Sequence, residues 1–453
     1  MTYAEAYNFI LSLNNLPRRE YISDPRHSGV YLERMRVLLK ILGNPEKKIP
    51  HFAHVTGTSG KGSVARLLAA GLIESGKRVG LVTSPHPSTM QERWEINGRA
   101  MAKNEFNALV SKLKPALEKF LEISRHDVPS FSEIMTMLGI MYFAKHKVDF
   151  AVLEVACGGR YDATNIIPRK DIAIITNIGL DHVDIIGPTK KDIAYEKAGI
   201  IKRGARVFTA EKDKKLVKIF EREIRRAGAR SLTRISQAGV KVLSSDSQGS
   251  SFIIDGQKYT LPVAGEHQIN NALIARAALK SAGVTEPEII KAFQNIVLPV
   301  CFEVVARNPL IILDGAHNPD KMRSTVTTLK KLVAQENIGS LHLVAGFAAN
   351  KDIKNMIRQL ATLNPQTIAA TRFTSNTFRK AADPRFIAEK FKNNLKKNKN
   401  KKNNFFNGLI KTFLEPAEAL AWSKAEQKKT RGLLLATGSI FLSGQLRPYF
   451  KRR

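Results

Sequence analysis

The chain has only two cysteines in 453 residues, Cys157 and Cys301. Two thiols cannot build a disulfide framework, and neither belongs to a CxxC pair of the metal-binding kind. A disulfide-stapled secreted fold and a zinc-ribbon fold are thereby excluded. There is also no run of about 18 uncharged apolar residues, so no membrane-spanning helix is expected. The N-terminal stretch MTYAEAYNFILSLNNLPRRE lacks a basic start, a compact apolar block and a small-residue cleavage site, so it does not read as a secretory signal. The cytoplasm is the expected compartment. Acidic residues are scarce: 40 Asp and Glu stand against 72 Lys and Arg, for a net charge of +32. Such a balance favours polyanions such as nucleic acid or polycarboxylate substrates. A low-complexity run, KKNKNKKNN at 396–404, points instead to Lys and Asn bias. It is expected as an insert at about 393–404 in a surface loop, and most of the charge is assigned to that bias.

What is present is the composition of an ordinary globular protein, 43% hydrophobic with 29 Gly and 19 Pro. At about 150 residues per domain, two or three domains are expected. Short β-branched runs, HFAHVTGT from His51, RVGLVTS from Arg78, DFAVLEVA from Asp149 and DIAIITNIG from Asp171, alternate with longer helical patterns. Nearly continuous apolar runs are what strands buried on both faces of a parallel sheet look like, and the alternation predicts a doubly wound α/β sheet. Residues 238–263 change character, with Ser, Gly and Asp turns between short alternating strands, which predicts an antiparallel hairpin. The βα alternation restarts near Pro299. The expected domains are 1–298 and 299–453.

The strongest motif is Thr56-Gly-Thr-Ser-Gly-Lys-Gly-Ser63. It follows a strand and opens a helix, the setting of a phosphate-binding loop. Glycines let backbone N–H groups turn onto phosphate oxygens, and the helix N-terminus adds partial positive charge. Lys61 can reach the outer phosphates, and the Ser63 hydroxyl can join a Mg²⁺ shell. The spacing is shorter than the general GxxxxGK[ST] pattern. Glu154 lies inside an apolar strand, where its carboxylate would be costly unless a metal or an arginine met it. Asp181-His182 follows a strand end, where α/β sheets place ligands; alone, a His there is more often a loop donor than a metal ligand. Lys197 alone is a surface lysine. Asp314 and His317 sit at a strand-to-helix turn, suited to nucleotide contact or to plain capping.

Taken in order, these blocks resemble one family over nearly the whole chain: folylpolyglutamate synthase/dihydrofolate synthase, of the Mur ligase superfamily. The resemblance is carried by YLERMRVLLKILGNPEKKIPHFAHVTGTSGKGS, SPHPSTMQERWEING, the Glu154 block, Asp181-His182 to Lys202, GEHQINNA, LDGAHNP and GSIFLSGQLR. It implies an N-terminal P-loop ATPase domain with a parallel sheet and a smaller C-terminal Rossmann-like α/β domain. It implies an ATP-dependent ligase that adds L-glutamate to dihydropteroate or to folate polyglutamates through an acyl phosphate. By the match, Gly57, Thr58, Ser59, Gly60, Lys61, Gly62 and Ser63 cradle ATP, with Asn271, Asp314 and His317 also contacting it. Ser63 and Glu154 would hold one Mg²⁺, and His182 and a carbamylated Lys197 would serve a second. Lys61, His182 and Lys197 are the expected catalytic set. Ser84, Pro85, His86 and Arg93 are expected near the folate. The partners implied are small molecules, with no specific nucleic acid and no membrane, on a monomer.

Some residues depart from the family pattern. Cys301 replaces an arginine expected to contact nucleotide phosphate, and a thiol supplies neither its charge nor its fork. Arg307 is the candidate substitute. Ser59 stands where Asn is common, Ala156-Cys157 alter the run after Glu154, and SFSEIMT from Ser130 is less aromatic than usual. Two other readings are a muramyl-peptide ligase of the same superfamily and a basic nucleic-acid-binding P-loop NTPase. The SPHPSTMQERWEING loop and GSIFLSGQLR oppose the first, and the absence of any nucleic-acid motif opposes the second.

Overall fold

The protein is described by a computed structural model covering residues 1–13, 29–167, 169–376, 379–399 and 408–450. Strands form where the short β-branched runs lie: β1 (His51–Thr56), β2 (Val79–Val82), β3 (Trp94–Ile96), β4 (Arg99–Ala100), β5 (Phe150–Glu154), β6 (Ile172–Ile175), β7 (Arg206–Thr209) and β8 (Ser231–Arg234). They make one sheet in the order β4-β3-β2-β5-β1-β6-β7-β8. The run from β2 to β8 is parallel, and β3 and β4 close one edge antiparallel. Strand β1 lies between β5 and β6, with Val55 opposite Glu154 and Thr56 opposite Ile175. The helix Phe131–Lys145 is apolar on every side and is buried almost throughout. Ser130 and Glu133 form a capping box at its start, and the buried Glu133 carboxylate also accepts two hydrogen bonds from Arg34 at 3.1 and 2.8 Å. The SFSEIMT segment is thus held by its own start signal.

A three-stranded antiparallel sheet follows, with β9 (Lys241–Asp246), β10 (Gly249–Ile254) and β11 (Gln257–Leu261) in the order β11-β10-β9. The last sheet contains β12 (Glu303–Arg307), β13 (Leu310–Leu313), β14 (Leu341–Ala345), β15 (Thr367–Ala370), β16 (Leu409–Thr412) and β17 (Leu433–Thr437). Its order is β12-β13-β17-β14-β15-β16, parallel except for β12. Each large sheet has its own apolar core.

The chain divides into two compact units. The first holds 1–85, 90–238 and 270–296; the second holds 86–89, 239–269 and 297–453. The break at Ile296 lies beside the expected one at 298, but the small antiparallel sheet was expected with the first domain and belongs with the second. Two bonds within the second unit account for this: Ser247 N–H donates to Glu336 at 2.7 Å, and the Ser247 carbonyl accepts from Arg307 at 2.7 Å. The low-complexity segment also differs from a loop insert at its start, because the helix Pro384–Lys399 runs into it. Residues 400–407 lie outside the described residues. No helix among the described residues is long and apolar enough to cross a membrane.

Candidate functional site

The chain leaves β1 through glycines that the local packing requires. At Gly57 φ is +146°, and a Cβ there would overlap the Thr176 hydroxyl; at Gly60 φ is +81°, and a Cβ would overlap the Asn271 amide oxygen. The loop is tied to the exit of β6 by Thr58 N–H to the Asn177 carbonyl at 3.0 Å and Ser59 N–H to Asn177 Oδ1 at 2.9 Å. Thr176 Oγ1 donates to the Ser59 carbonyl at 2.6 Å. The helix Lys61–Glu74 then starts on Gly60 with no side-chain cap. Its first amides keep their donors, and its positive end faces the loop. A rigid loop ending on an uncapped helix is an anion cradle.

Two lysines converge on this loop. Lys61 Nζ and Lys197 Nζ each donate to the Gly57 carbonyl at 3.0 Å. Lys197 is buried, on the helix Lys190–Ala198. Burial, and then the neighbouring Lys61 charge, lower its pKa to about 7. The Gly158-Gly159 turn explains how this helix approaches: a Cβ on Gly159 would lie 3.0 Å from the Glu196 carbonyl and 3.1 Å from that of Lys197. Burial raises Glu196 to about 7 and the Cys157 thiol to about 12. Asp162 shapes the turn by accepting from the Ala156 and Cys157 amides at 3.1 and 3.0 Å.

Glu154 ends β5 with its carboxylate buried. Its Oε2 accepts from Ser84 N–H at 3.0 Å and lies 3.4 Å from where a Gly62 Cβ would stand. A small cavity is lined by Ser84, Arg93, Glu154, Met135 and Thr136, among others. Burial lowers Arg93 to about 10, with the Glu154 charge opposing. Ser84, Arg93 and Glu154 are therefore brought together, and Ser84-Pro85 is a cis peptide. His86 groups with the second unit. His182 starts the short helix Val183–Ile186 in left-handed conformation, with Nε2 3.9 Å from Asp181 Oδ2. No group of three or more His, Cys, Asp or Glu side chains that could hold a metal occurs among the described residues. One buried carboxylate over the first turn that carries the Ser63 hydroxyl suits a hard cation whose remaining ligands are phosphate oxygens and water.

In the second unit, Asp314 is buried at the end of β13. It accepts from Phe302 N–H at 3.0 Å, Ala316 N–H at 3.1 Å and Thr325 Oγ1 at 2.7 Å. Burial raises its pKa, and these donors oppose the rise. Asn318 caps the helix Pro319–Gln335 through Lys321 N–H. The His317 ring places Nδ1 2.8 Å from the Gly315 carbonyl and Nε2 3.3 Å from Lys321 Nζ. Nδ1 is therefore the donor and Nε2 the acceptor. Arg307 is corrected as the stand-in at Cys301. The register pairs Glu303 with Leu313 but Arg307 with Leu310, so Arg307 sits at the far end of β12, where it holds the Ser247 carbonyl. The cation at this turn is Lys321. Sequence reasoning missed it, along with Thr176, Asn177 and Asp162. Polar residues just after the apolar runs of β6 and β5 were the available signal for those three.

Residues 55–279 match the Mur ligase middle domain, and residues 302–440 match the Mur ligase, glutamate ligase domain. The dihydrofolate synthase/folylpolyglutamate synthase of Bacillus subtilis is 35% identical over 346 residues, 73% of this chain and 79% of that protein. The Mycobacterium tuberculosis folylpolyglutamate synthase, solved with ADP and AMPPCP, superposes with a TM-score of 0.83 at 26% identity over 99% of both chains. Escherichia coli FolC, solved with DHPP and ADP, does so with a TM-score of 0.78 at 25% identity over 98% of this chain and 97% of that one. With these likenesses spanning both units, the chain belongs to the folylpolyglutamate synthase/dihydrofolate synthase family of Mur-type ligases.

Proposed function

We propose that the chain joins L-glutamate to dihydropteroate, to reduced folates, or to both, using ATP. The observation that carries this is the uncapped start of the helix Lys61–Glu74, with the Nζ atoms of two lysines on the Gly57 carbonyl beside it and a buried carboxylate over its first turn. The amides at the uncapped start of the helix Lys61–Glu74 and the Lys61 ammonium would hold the phosphates of ATP, with Asn271 against Gly60. A carboxylate oxygen of the substrate attacks the γ-phosphorus, the bond to the β–γ bridging oxygen breaks, and ADP leaves. The amine of glutamate then attacks the acyl phosphate carbonyl, loses a proton and expels phosphate. Positive charge positioned on the phosphoryl oxygens lowers the first barrier.

Mg²⁺ would be held by Ser63 and Glu154 at one position and by His182 and Lys197 at a second. Bound there, it supplies further positive charge to the phosphoryl oxygens. Lys197 suits such a position only after modification. A neutral Lys197 Nζ adds to CO₂ and loses a proton, which turns a cation into a two-oxygen carbamate. A pKa of about 7 supplies the neutral amine. Ser84, Pro85 and Arg93 would meet the pteridine substrate, with His86 beside Pro85 in sequence. His317 would serve the nucleotide, and Asp314 would hold the turn that presents it. The enzyme is taken to act as a cytoplasmic monomer on small molecules.

The test is ATP- and Mg²⁺-dependent incorporation of labelled glutamate, with dihydropteroate, tetrahydrofolate and a UDP-muramyl peptide as acceptors. Labelling of either pteridine acceptor and not of the muramyl one is expected. Labelling of the muramyl acceptor alone would overturn the reading.

A further inference from the structure

The second unit carries a cavity that the reaction described above does not use. It measures about 1020 Å³ and opens where the chain leaves β15 and β16. Its walls include Arg372, Arg379, Lys380 and Arg385, with Asp383 as their one carboxylate. Arg385 and Asp383 pair with each other at 2.8 Å. Arg372 donates to the Leu414 carbonyl at 3.0 Å and is 3.7 Å from Glu415. The side chains of Arg379 and Lys380 have no hydrogen bond or ion pair to any of the described residues. The cavity thus has more positive charge than its own acids neutralise.

The walls are built rather than incidental. Thr374 and Gln445 exchange two hydrogen bonds, at 2.9 and 2.6 Å. Behind the wall at Lys380–Ala382, an antiparallel bridge holds the backbone, with Ala349 N–H donating to the Lys380 carbonyl at 2.9 Å and Ala382 N–H to that of Phe347 at 2.8 Å. Between the cations lie apolar side chains, Phe373, Phe413 and Leu414. The carboxyl ends of parallel strands are the usual ligand edge of such a sheet. A compact inorganic anion would use the cations and leave the apolar walls idle. A γ-linked glutamate chain uses both, because each residue brings one α-carboxylate and one pair of methylenes.

We propose that this cavity binds a γ-linked glutamate chain, its carboxylates on Arg379, Lys380 and Arg372 and its methylenes on Phe373, Phe413 and Leu414. The inference rests on the folate reading above for its biological sense, but binding can be tested without it. Calorimetric titration of the full chain with γ-linked pentaglutamate, free of any pteridine, should give an isotherm tighter than that for glutamate or inorganic phosphate. Arg379→Gln/Lys380→Gln should weaken it about fivefold, as expected for exposed ion pairs, and 0.5 M salt should do the same. The double variant should also raise the KM for pentaglutamyl tetrahydrofolate about fivefold, with kcat, the KM for ATP and the KM for the monoglutamate unchanged. Equal binding by wild type, by the double variant and by Arg379→Glu/Lys380→Glu would overturn the proposal, as would phosphate binding as tightly as the pentaglutamate. If no pteridine is glutamylated at all, the folate reading falls while the pentaglutamate isotherm still decides the cavity.

Discussion

Two turns in this molecule stand at the same topological place and are made differently. One follows β1 and the other follows β13, and each leads from the carboxyl end of a parallel strand into a helix. The first has a glycine at the helix start and no side-chain cap. The second is closed by its own side chains, with Asp314 accepting two backbone amides and the Thr325 hydroxyl and with Asn318 capping the helix. An unclosed turn keeps its donors for a ligand. A closed turn gives rigidity, and only what projects from it, such as His317 with Lys321, can meet a ligand. Similar local topology thus leaves the helix start open in one unit and closes it in the other.

That contrast can be broken by experiment. Lys61→Ala should cut ligation at least about a hundredfold, because a positioned cation on phosphoryl oxygens is lost. Its melting temperature should stay within about 2 °C of wild type, since Lys197 also donates to the Gly57 carbonyl that Lys61 holds. Asp314→Ala should act in the opposite sense. Leaving two buried amides and a hydroxyl without their acceptor costs about 3 kcal/mol in total, read by urea unfolding of the second unit. A large loss of stability in the first variant and none in the second would refute the comparison.

The scaffold behind the first turn can be probed by pH. His54 on β1 is fully buried, with Nε2 2.7 Å from Thr164 Oγ1. Burial, and then the charges of Lys170 and Lys202, hold its pKa well below the ordinary 6.5. The native ring stays neutral where the unfolded chain takes up a proton. The contribution to stability is therefore whole above about pH 6.5 and is lost as pH falls below it. Between pH 7 and 5, wild type should lose about 2 kcal/mol more than His54→Gln, measured by urea unfolding at each pH. Equal losses would show that His54 titrates normally. The smallest effect is expected at the second turn. Cys301→Arg should change the KM for ATP less than about threefold, because Lys321 already brings a cation to this turn and an exposed charge adds little. A tenfold fall would show that the thiol leaves a charge missing there.

Most strands and the glycine turn after β1 were legible because they are local. A β-branched run of five residues and a glycine turn before a helix carry their own signals. The small antiparallel sheet was legible as strands but not as part of the second unit, since that membership rests on Ser247 meeting Glu336 and Arg307. Lys197 illustrates the same limit. Its burial and its meeting with Lys61 arise from the Gly158-Gly159 turn packing on its helix, a pairing of distant segments that only the resemblance brought into view. Arg307 was misjudged because nearness in sequence to Cys301 was read as nearness in space. From Glu303 to Arg307, four residues along β12 carry a side chain about 13 Å away from the turn.

The central position of β1 has a consequence for how the molecule comes into being. Its two neighbours are β5 and β6, so His51 waits for Phe150 and Ala53 waits for Ile172. During vectorial synthesis the phosphate loop leaves the ribosome early, with neither flank in place and without Thr176 or Asn177 to brace it. Pairings of this sequence separation form slowly. Until Asn177 has cleared the exit tunnel, the nascent chain carries the loop's residues but not the bonds that brace it.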